Sequence, residues 1–379
     1  MNVWIISSSY PRRPDESLNA GVVARDLALA VQEAGHRVSV ITPAKPGGIE
    51  FDPELEGVVL PWMAPSIALA DLSAKSPRDA VRMLSLFALA PRALRRRLRS
   101  GPPPDAVIAL WALPSGIFAR RLKRLTGAPY VVWILGSDVW KAHRFPGGRK
   151  LFRGVVDEAE RAYADGSVLA ADAATLSGRE VGFLPSCRRL PPPPEDGLPE
   201  PVDVLFVGRY HPNKGPDVLM DAFELLRKRR SDVTLRLHGH GDLGEELKRR
   251  AAGLGGSVRV LGPVSAVELS AAMARASVLA IPSRIESIPL ILGDAKQAGI
   301  PVVASAVGDM REVVETYRLG RSVPPEDPAA LAEALDAMLQ EPIRLDADAG
   351  PPWLSPDGVA ETLLAALEGP PARPRRGPL

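Results

Sequence analysis

Two short segments carry side chains whose types and spacing suit chemistry on an anion and on vicinal hydroxyls. The first, Gly208-Arg-Tyr-His-Pro-Asn-Lys-Gly215, follows an apolar run that reads as a strand, Val202–Val207. Gly208 frees the chain to turn, Arg209 leaves the strand end, and Lys214 falls just before a helical stretch. A helix N-terminus carries unpaired amides and a partial positive charge, so two cations beside it form an anion trap suited to a diphosphate. Taken alone, the segment also fits a solvated loop with two ordinary basic residues. The second segment runs from Pro282 to Asp294 as Pro-Ser-Arg-Ile-Glu-Ser-Ile-Pro-Leu-Ile-Leu-Gly-Asp. It sets Glu286 in a loop and Asp294 in the second turn of a helix opened by Pro289, where proline is tolerated best. On a helical wheel Asp294 borders the apolar arc of Ile291, Ala295 and Ala298, and a carboxylate there costs free energy unless something bonds it. A pair of sugar hydroxyls would serve, as would a basic side chain from elsewhere. Complementing the helix N-terminus would contribute roughly 0.3–1 kcal/mol.

These residues need strands that end beside one another. Val3–Ser7, a helix at Gly21–Ala34 and a strand at Val38–Thr42 make a βαβ unit, which implies a parallel sheet with right-handed crossovers. Asp105–Leu110 and Tyr130–Leu135 add apolar strands around a helix at Gly116–Leu125, and Leu151–Ala164 reads as a further helix. The run Leu190-Pro-Pro-Pro-Pro-Glu-Asp-Gly cannot continue a helix or sheet and acts as a stiff spacer. The expected division is therefore a domain over 1–188, a linker over 189–200 and a domain over 201–345. After the spacer the pattern restarts. Strands are expected at Val202–Val207, Val233–Leu237, Val258–Leu261, Ser277–Ile281 and Pro301–Ser305. Helices are expected at Asp217–Arg229, Leu243–Ala252, Ala266–Ala274, Pro289–Ala298, Asp309–Tyr317 and Pro328–Leu339. This alternation predicts two doubly wound α/β domains, which bind ligands at strand carboxyl ends. The tail 370–379 is expected to be disordered.

With the order of the elements in place, the motifs resemble those of family 4 glycosyltransferases. Gly208-Arg209 with Lys214-Gly215, and Glu286 followed after seven residues by an acid, resemble the donor site of that family. Asn19-Ala-Gly21 is similar to its first glycine loop, Gly35-His36 precedes its second strand, and Trp111-Ala-Leu-Pro-Ser-Gly116 and Gly136-Ser-Asp138 resemble N-domain cleft motifs. Val307-Gly308 with Glu312 resembles the loop after the last sheet strand, and Trp353–Leu367 the terminal helix, expected near 353–368, that returns to the first domain. The resemblance implies the GT-B fold and retaining transfer from a nucleotide-sugar donor to a saccharide or lipid-linked acceptor. It further implies that Arg209 and Lys214 stabilise the diphosphate as the glycosidic bond breaks, the kind of charge stabilisation that is usually the largest catalytic contribution. Glu286 would contact donor-sugar hydroxyls and Asp294 the ribose. Backbone groups of Ser287, Ile288, Pro289 and Leu290 would approach the phosphates or sugar, with Gly21, Asp138, Gly208, Gly239 and Gly241 lining the donor site. Neither a metal nor another cofactor is implied, because the two cations and helix ends neutralise the diphosphate.

Three positions depart from that pattern. Asp294 is one methylene shorter than the usual Glu, Leu135 stands where His usually meets the donor sugar, and Arg189-Leu-Pro replaces an Asn-Gly segment. Leu135 is the best support for the alternative, a catalytically silent GT-B relative acting as a binding or scaffold subunit. Gly239-His-Gly-Asp-Leu-Gly244 matches GxGxxG, but the next strand ends in Leu261-Gly262-Pro263 with no acid for a ribose, which argues against a dinucleotide cofactor. His238-x-His240 lacks a third metal ligand nearby, and no Gly-x-Ser-x-Gly elbow is present.

The 379 residues, 46% hydrophobic and 24% charged, fit two globular domains. A formal net charge of +2 predicts no special affinity for nucleic acid. The single cysteine, Cys187, excludes an internal disulfide framework and fits a reducing cytoplasm. The first residues lack a secretory signal's basic leader, and no run approaches the roughly 18 apolar residues of a membrane span. Between Arg92 and Arg124 there are nine basic residues and one acid, Asp105. Arg95-Arg-Arg-Leu-Arg99 and Arg120-Arg-Leu-Lys-Arg124 are expected to be helical. They read either as two solvated faces or as a peripheral contact with anionic lipid on the inner membrane face.

Overall fold

A computed structural model of the chain describes residues 1–14, 21–67, 69, 72, 76–140, 147–346 and 351–368. Asn19-Ala20 of the expected glycine loop and the tail 370–379 lie outside these residues. The chain forms two compact units, Met1–Pro185 with Pro356–Leu379, and Ser186–Ser355. The division falls before the boundary expected at 188, so Arg188 and the proline-rich segment belong to the second unit.

The first unit contains β1 (Asn2–Ser7), α1 (Val22–Glu33), β2 (Arg37–Pro43), β3 (Glu56–Leu60), α2 (Pro77–Ser100), β4 (Ala106–Leu110) and α3 (Ile117–Thr126). It continues with β5 (Tyr130–Ile134), α4 (Ser137–Trp140), α5 (Gly148–Glu158), β6 (Arg161–Ala164), α6 (Ser167–Ser177) and β7 (Gly182–Phe183). Its seven-stranded parallel sheet has the order β3-β2-β1-β4-β5-β6-β7. Residues of β1, β4 and β5 are buried on both faces, as a parallel sheet covered by helices requires.

The second unit contains β8 (Val202–Val207), α7 (Pro216–Arg229), β9 (Leu235–His238), α8 (Gly244–Ala252), β10 (Val258–Leu261), α9 (Ala266–Ala274) and β11 (Ala276–Ile281). It ends with α10 (Leu290–Gln297), β12 (Val302–Ser305), α11 (Met310–Thr316), β13 (Gly320–Val323) and α12 (Pro328–Gln340). Its sheet, also parallel, has the order β10-β9-β8-β11-β12-β13. Local signals fix several helix starts. Ser265 and Glu268 form a capping box on α9, and Asp327 caps α12 ahead of Pro328. Finally α13 (Pro356–Glu368) packs on α1 and β5 of the first unit. It starts later than the helix expected from Trp353, which instead stacks edge-on against Tyr317 in the second unit, 5.5 Å between ring centres.

The span Leu151–Ala164 is not one helix. Helix α5 stops at Glu158, Ala159 is extended at φ −71°, ψ 149°, and Arg161–Ala164 pairs with β5 as strand β6. Within β6, Arg161 is exposed whereas Ala162 and Ala164 are buried, a two-residue period too short to stand out beside a helix. The edge strands β3, β7 and β13 and helix α6 were not among the expected elements, and of α2 only the Arg95–Arg99 segment was expected to be helical.

The arginine clusters also differ from two solvated faces. On α3, Arg120 and Arg124 both bind Glu158 (2.6 and 2.7 Å) and Lys123 binds Glu160 (2.6 Å), joining α3 to the end of α5. Those bonds hold the Glu158 carboxyl down at about 2, Arg120 contributing most. On α2, Arg97 is turned inward, bonded to Glu56 at 2.7 Å with its guanidinium 5.2 Å from the Trp4 ring centre. Arg92, Arg95, Arg96 and Arg99 remain exposed.

Candidate active site

In each sheet the strand order reverses beside the first strand of the unit, between β1 and β4 and between β8 and β11. Chains leaving two such neighbours turn to opposite sides and open a crevice at their carboxyl ends, the usual ligand position in doubly wound sheets. In the second unit the β8 exit carries Arg209 and Lys214, and the β11 exit carries Glu286. The structure brings two of these together: Lys214 Nζ donates to a Glu286 carboxylate oxygen, joining residues separated by 72 positions. Neither is sealed off, the side chains being 27% and 16% exposed. Arg209 is exposed after β8, and its guanidinium makes no ion pair or hydrogen bond among the described residues.

Backbone packing sets these loops. Residues 212–214 form one 3₁₀ turn, closed by Gly215 at φ +65°, so Lys214 is held immediately before α7. A Cβ on Gly215 would lie 1.9 Å from the Pro282 carbonyl oxygen, and one on Gly308 (φ +51°) would lie 2.2 Å from that of Glu286. Only glycine allows both approaches. Gly239 and Gly241 have a comparable role. The Gly208 amide donates to the His238 carbonyl (3.0 Å) and the Tyr210 amide to that of His240 (2.7 Å), extending the β8–β9 ladder into the loops. A Cβ on Gly239 would fall 1.9 Å from Gly208 O, and one on Gly241 2.5 Å from Tyr210 O. The GxGxxG spacing thus reflects loop-on-loop packing beneath Arg209.

Helix α10 follows the Glu286 loop, with Pro289 extended at its N-cap, and it presents first-turn amides as any helix start does. Ile288 and Pro289 are buried, and the Ser287 hydroxyl donates to Asp309 at 3.1 Å. Gly21, buried, stands at the N-cap of α1 in the first unit, its carbonyl accepting from the Ala24 and Arg25 amides.

Two expected donor contacts are turned inward. Asp294 is 0% exposed and is gripped by Arg188, whose Nε lies 3.0 Å from both carboxylate oxygens and whose terminal nitrogen lies 2.5 Å from Oδ2. Burial pushes its pKa up, while Arg188 pulls it back. Its position called for a bonding partner, and in this structure that partner is Arg188, which engages both carboxylate oxygens. The same segment is bracketed by Gln297, which donates to the Arg188 carbonyl (2.8 Å) and accepts from the Leu190 amide (2.9 Å).

Asp138, on α4 of the first unit, is buried, with its carboxylate accepting from the Ala112 amide at 2.6 Å. Burial raises this carboxyl to about 6, against the opposing effect of nearby amides. Since the folded state holds the proton more tightly than the unfolded chain, the cost is complete above pH 6 and disappears as pH falls towards 4. The difference from an ordinary 3.8 corresponds to about 3 kcal/mol. Asp138→Asn, which retains an acceptor for Ala112, is therefore expected to raise the denaturation midpoint at pH 7.5 and to flatten stability between pH 4 and 7. Denaturant melts across that range check this, and an unchanged pH profile would count against the buried-acid account.

Sequence reasoning missed Arg284. Its guanidinium bonds both Asp217 oxygens (2.9 and 2.7 Å), the Pro212 carbonyl (2.5 Å) and Glu326 (2.8 Å), and its amide donates to Asn213 O at 2.8 Å. Burial would raise the Asp217 carboxyl, but bonding to Arg284 outweighs it and holds the group below its ordinary value. The only sequence signal was a charged residue inside the loop that carries Glu286. Among the described residues no group of three His, Cys, Asp or Glu is placed to hold a metal. Nor is any helix among them long and apolar enough to cross a membrane.

Comparison with known proteins agrees with this architecture. Residues 201–341 match the family model described as glycosyl transferases group 1, and residues 20–181 that of the glycosyl transferase 4-like domain. A D-inositol 3-phosphate glycosyltransferase of Pseudarthrobacter chlorophenolicus is 30% identical over 349 residues, covering 85% of this chain and 82% of that protein. A phosphatidyl-myo-inositol mannosyltransferase of Mycobacterium leprae is 42% identical over 142 residues, 37% of this chain. That match spans only 38% of the mycobacterial protein, less than half its length. Among solved structures, sucrose-phosphate synthase from Thermosynechococcus elongatus superposes with a TM-score of 0.60 at 20% identity, covering 97% of this chain and 96% of that one. Anabaena HepE, solved in complex with UDP and glucose, gives 0.59 at 16% identity, covering 97% and 95%. Likeness to a family member over 85% of this chain, two matching family models and two doubly wound units of GT-B type lead to one conclusion: this chain belongs to the group 1, family 4-like glycosyltransferases.

Proposed function

We propose that the chain is a retaining, metal-independent glycosyltransferase whose second unit takes a nucleotide-sugar donor and whose first unit takes a saccharide or lipid-linked acceptor. The observation that carries this reading is the Lys214–Glu286 pair at the β8–β11 reversal, close to the start of α10. A lysine already paired with a carboxylate can exchange that partner for a diphosphate, and Glu286, once released, accepts from sugar hydroxyls. Arg209 supplies a second cation from an exposed position, so the positive charge that diphosphate departure demands comes from the protein itself. Relatives named for phosphatidyl-myo-inositol and inositol 3-phosphate support an acceptor bearing a phosphorylated polyol, in glycolipid or cell-surface polysaccharide synthesis. Membrane contact is assigned to α2 rather than α3. Helix α2 exposes Val81, Leu84 and Leu89 as well as Arg92, Arg95, Arg96 and Arg99, whereas the α3 cations are mostly neutralised by Glu158 and Glu160.

A thermal-shift screen over UDP-, GDP- and ADP-sugars tests the donor assignment. One donor class is expected to raise the melting temperature and to be hydrolysed slowly without acceptor. A shift without hydrolysis or transfer would favour a silent binding subunit, for which Leu135 speaks. Absence of any shift and of any turnover would remove the donor-site reading altogether.

A further inference from the structure

We propose that Arg284 is a positioning residue for sugar transfer, holding Lys214 and Glu286 in register across the two loops that carry them. The inference rests on the donor-site reading above and assigns to that site the residue that assembles it.

Arg284 lies two residues before Glu286 and reaches both sides of the turn that carries Lys214. Its guanidinium bonds the Pro212 carbonyl before Lys214 and both oxygens of Asp217 after it. The backbone repeats the connection, since the Arg284 amide donates to Asn213 O at 2.8 Å. A further bond to Glu326, beyond β13, ties the fork to a third loop. The geometry suits arginine alone, because a planar fork can take a bidentate carboxylate and a carbonyl together, whereas an ammonium is a single point donor. The glycines complete the clamp. Gly215 abuts the Pro282 carbonyl and Gly308 that of Glu286, so the 282–286 loop is fixed on either side while Arg284 fixes its centre. Most of this residue's polar contacts are spent on the protein, so it acts through Lys214 and Glu286 rather than on the donor. An error of about 1 Å in the placement of such groups costs on the order of 100-fold in rate.

Arg284→Ala is expected to lower kcat about 100-fold with the donor KM changed by less than about 3-fold, since a displaced Lys214 loses contact chiefly with the developing charge. In a Lys214→Ala background the same substitution is expected to lower kcat by no more than about 3-fold, because groups that act as one unit are not additive. A purely structural residue would lower the melting temperature and multiply its loss onto that of Lys214→Ala. Full kcat in Arg284→Ala, or losses that multiply in the double variant, would overturn the assignment. If Lys214→Ala alone kept full activity, the donor-site reading would fail instead. Asp217→Asn removes the charge from the fork without changing its shape. It is expected to give a smaller fall in kcat, about 10-fold, with the same non-additivity, and it carries the test if Arg284→Ala does not fold.

Discussion

Lys214→Ala is expected to lower the rate of sugar transfer by about 10²–10³ while leaving the melting temperature nearly unchanged. The rate follows from where the charge appears. As the glycosidic bond breaks, negative charge builds on the departing diphosphate, and removing one preorganised donor aimed at such charge costs roughly 2.7–4 kcal/mol. The small effect on stability follows from the resting partner. Lys214 pairs with Glu286, but both side chains are partly exposed, and ion pairs of that kind contribute about 0–1 kcal/mol. The loss should appear equally in kcat and kcat/KM, the signature of an interaction made only in the transition state. Steady-state kinetics with the donor found by thermal shift, accompanied by a melt of the variant, check both halves. Full activity would sink the assigned role of Lys214, and a large fall in melting temperature would show the pair to be structural.

Much of the second unit was legible because its strands are short, β-branched apolar runs closed by Gly or Pro. Strands β8 and β10 and helix α9 lie where the periodicity put them, and the capping residues of α9 and α12 are local signals. The edge strands β3, β7 and β13 were not legible, whereas β10, also at an edge, was. In β3 three of five residues are exposed and the apolar run is only Val58–Leu60, in β13 only Val323 is buried, and β7 has only two residues, so no long apolar run marks them. At the site, Arg209, Lys214 and Glu286 could be found because each follows a strand end. Arg188 and Arg284 could not, since their meaning lies in partners 106 and 67 positions away. Asp294 shows the limit most clearly. Its position on an apolar arc announced that something must bond it, but the sequence pattern could not distinguish a ligand's hydroxyls from an arginine contributed by the segment before β8.

That distinction yields the largest expected change in stability. Arg188→Met is expected to destabilise the second unit by roughly 3–5 kcal/mol, because it leaves a buried carboxylate without its partner. Asp294 is 0% exposed and can neither reach water nor swing out of α10, so its pKa must rise further once the guanidinium is gone. The sign of the pH dependence follows. A carboxyl whose folded pKa is raised destabilises the folded state above that value, so the variant should recover stability as pH falls and the parent should not recover to the same extent. At about 2–4 °C per kcal/mol for a unit of this size, the melting temperature should fall by about 6–20 °C at neutral pH. The double change Arg188→Met with Asp294→Leu removes both charges and fills the space with apolar side chains, and buried pairs so replaced are often neutral or better. It should therefore regain most of the loss, and with it donor binding, if Asp294 serves Arg188 alone. Recovered stability without recovered donor binding would mean that the carboxylate also meets the nucleotide, and that the Arg188 contact opens when donor arrives. Either result bears on Asp294→Glu as well. The longer side chain would push against an arginine that Gln297 already holds by its carbonyl, so restoring the family's usual acid should weaken this protein rather than strengthen it.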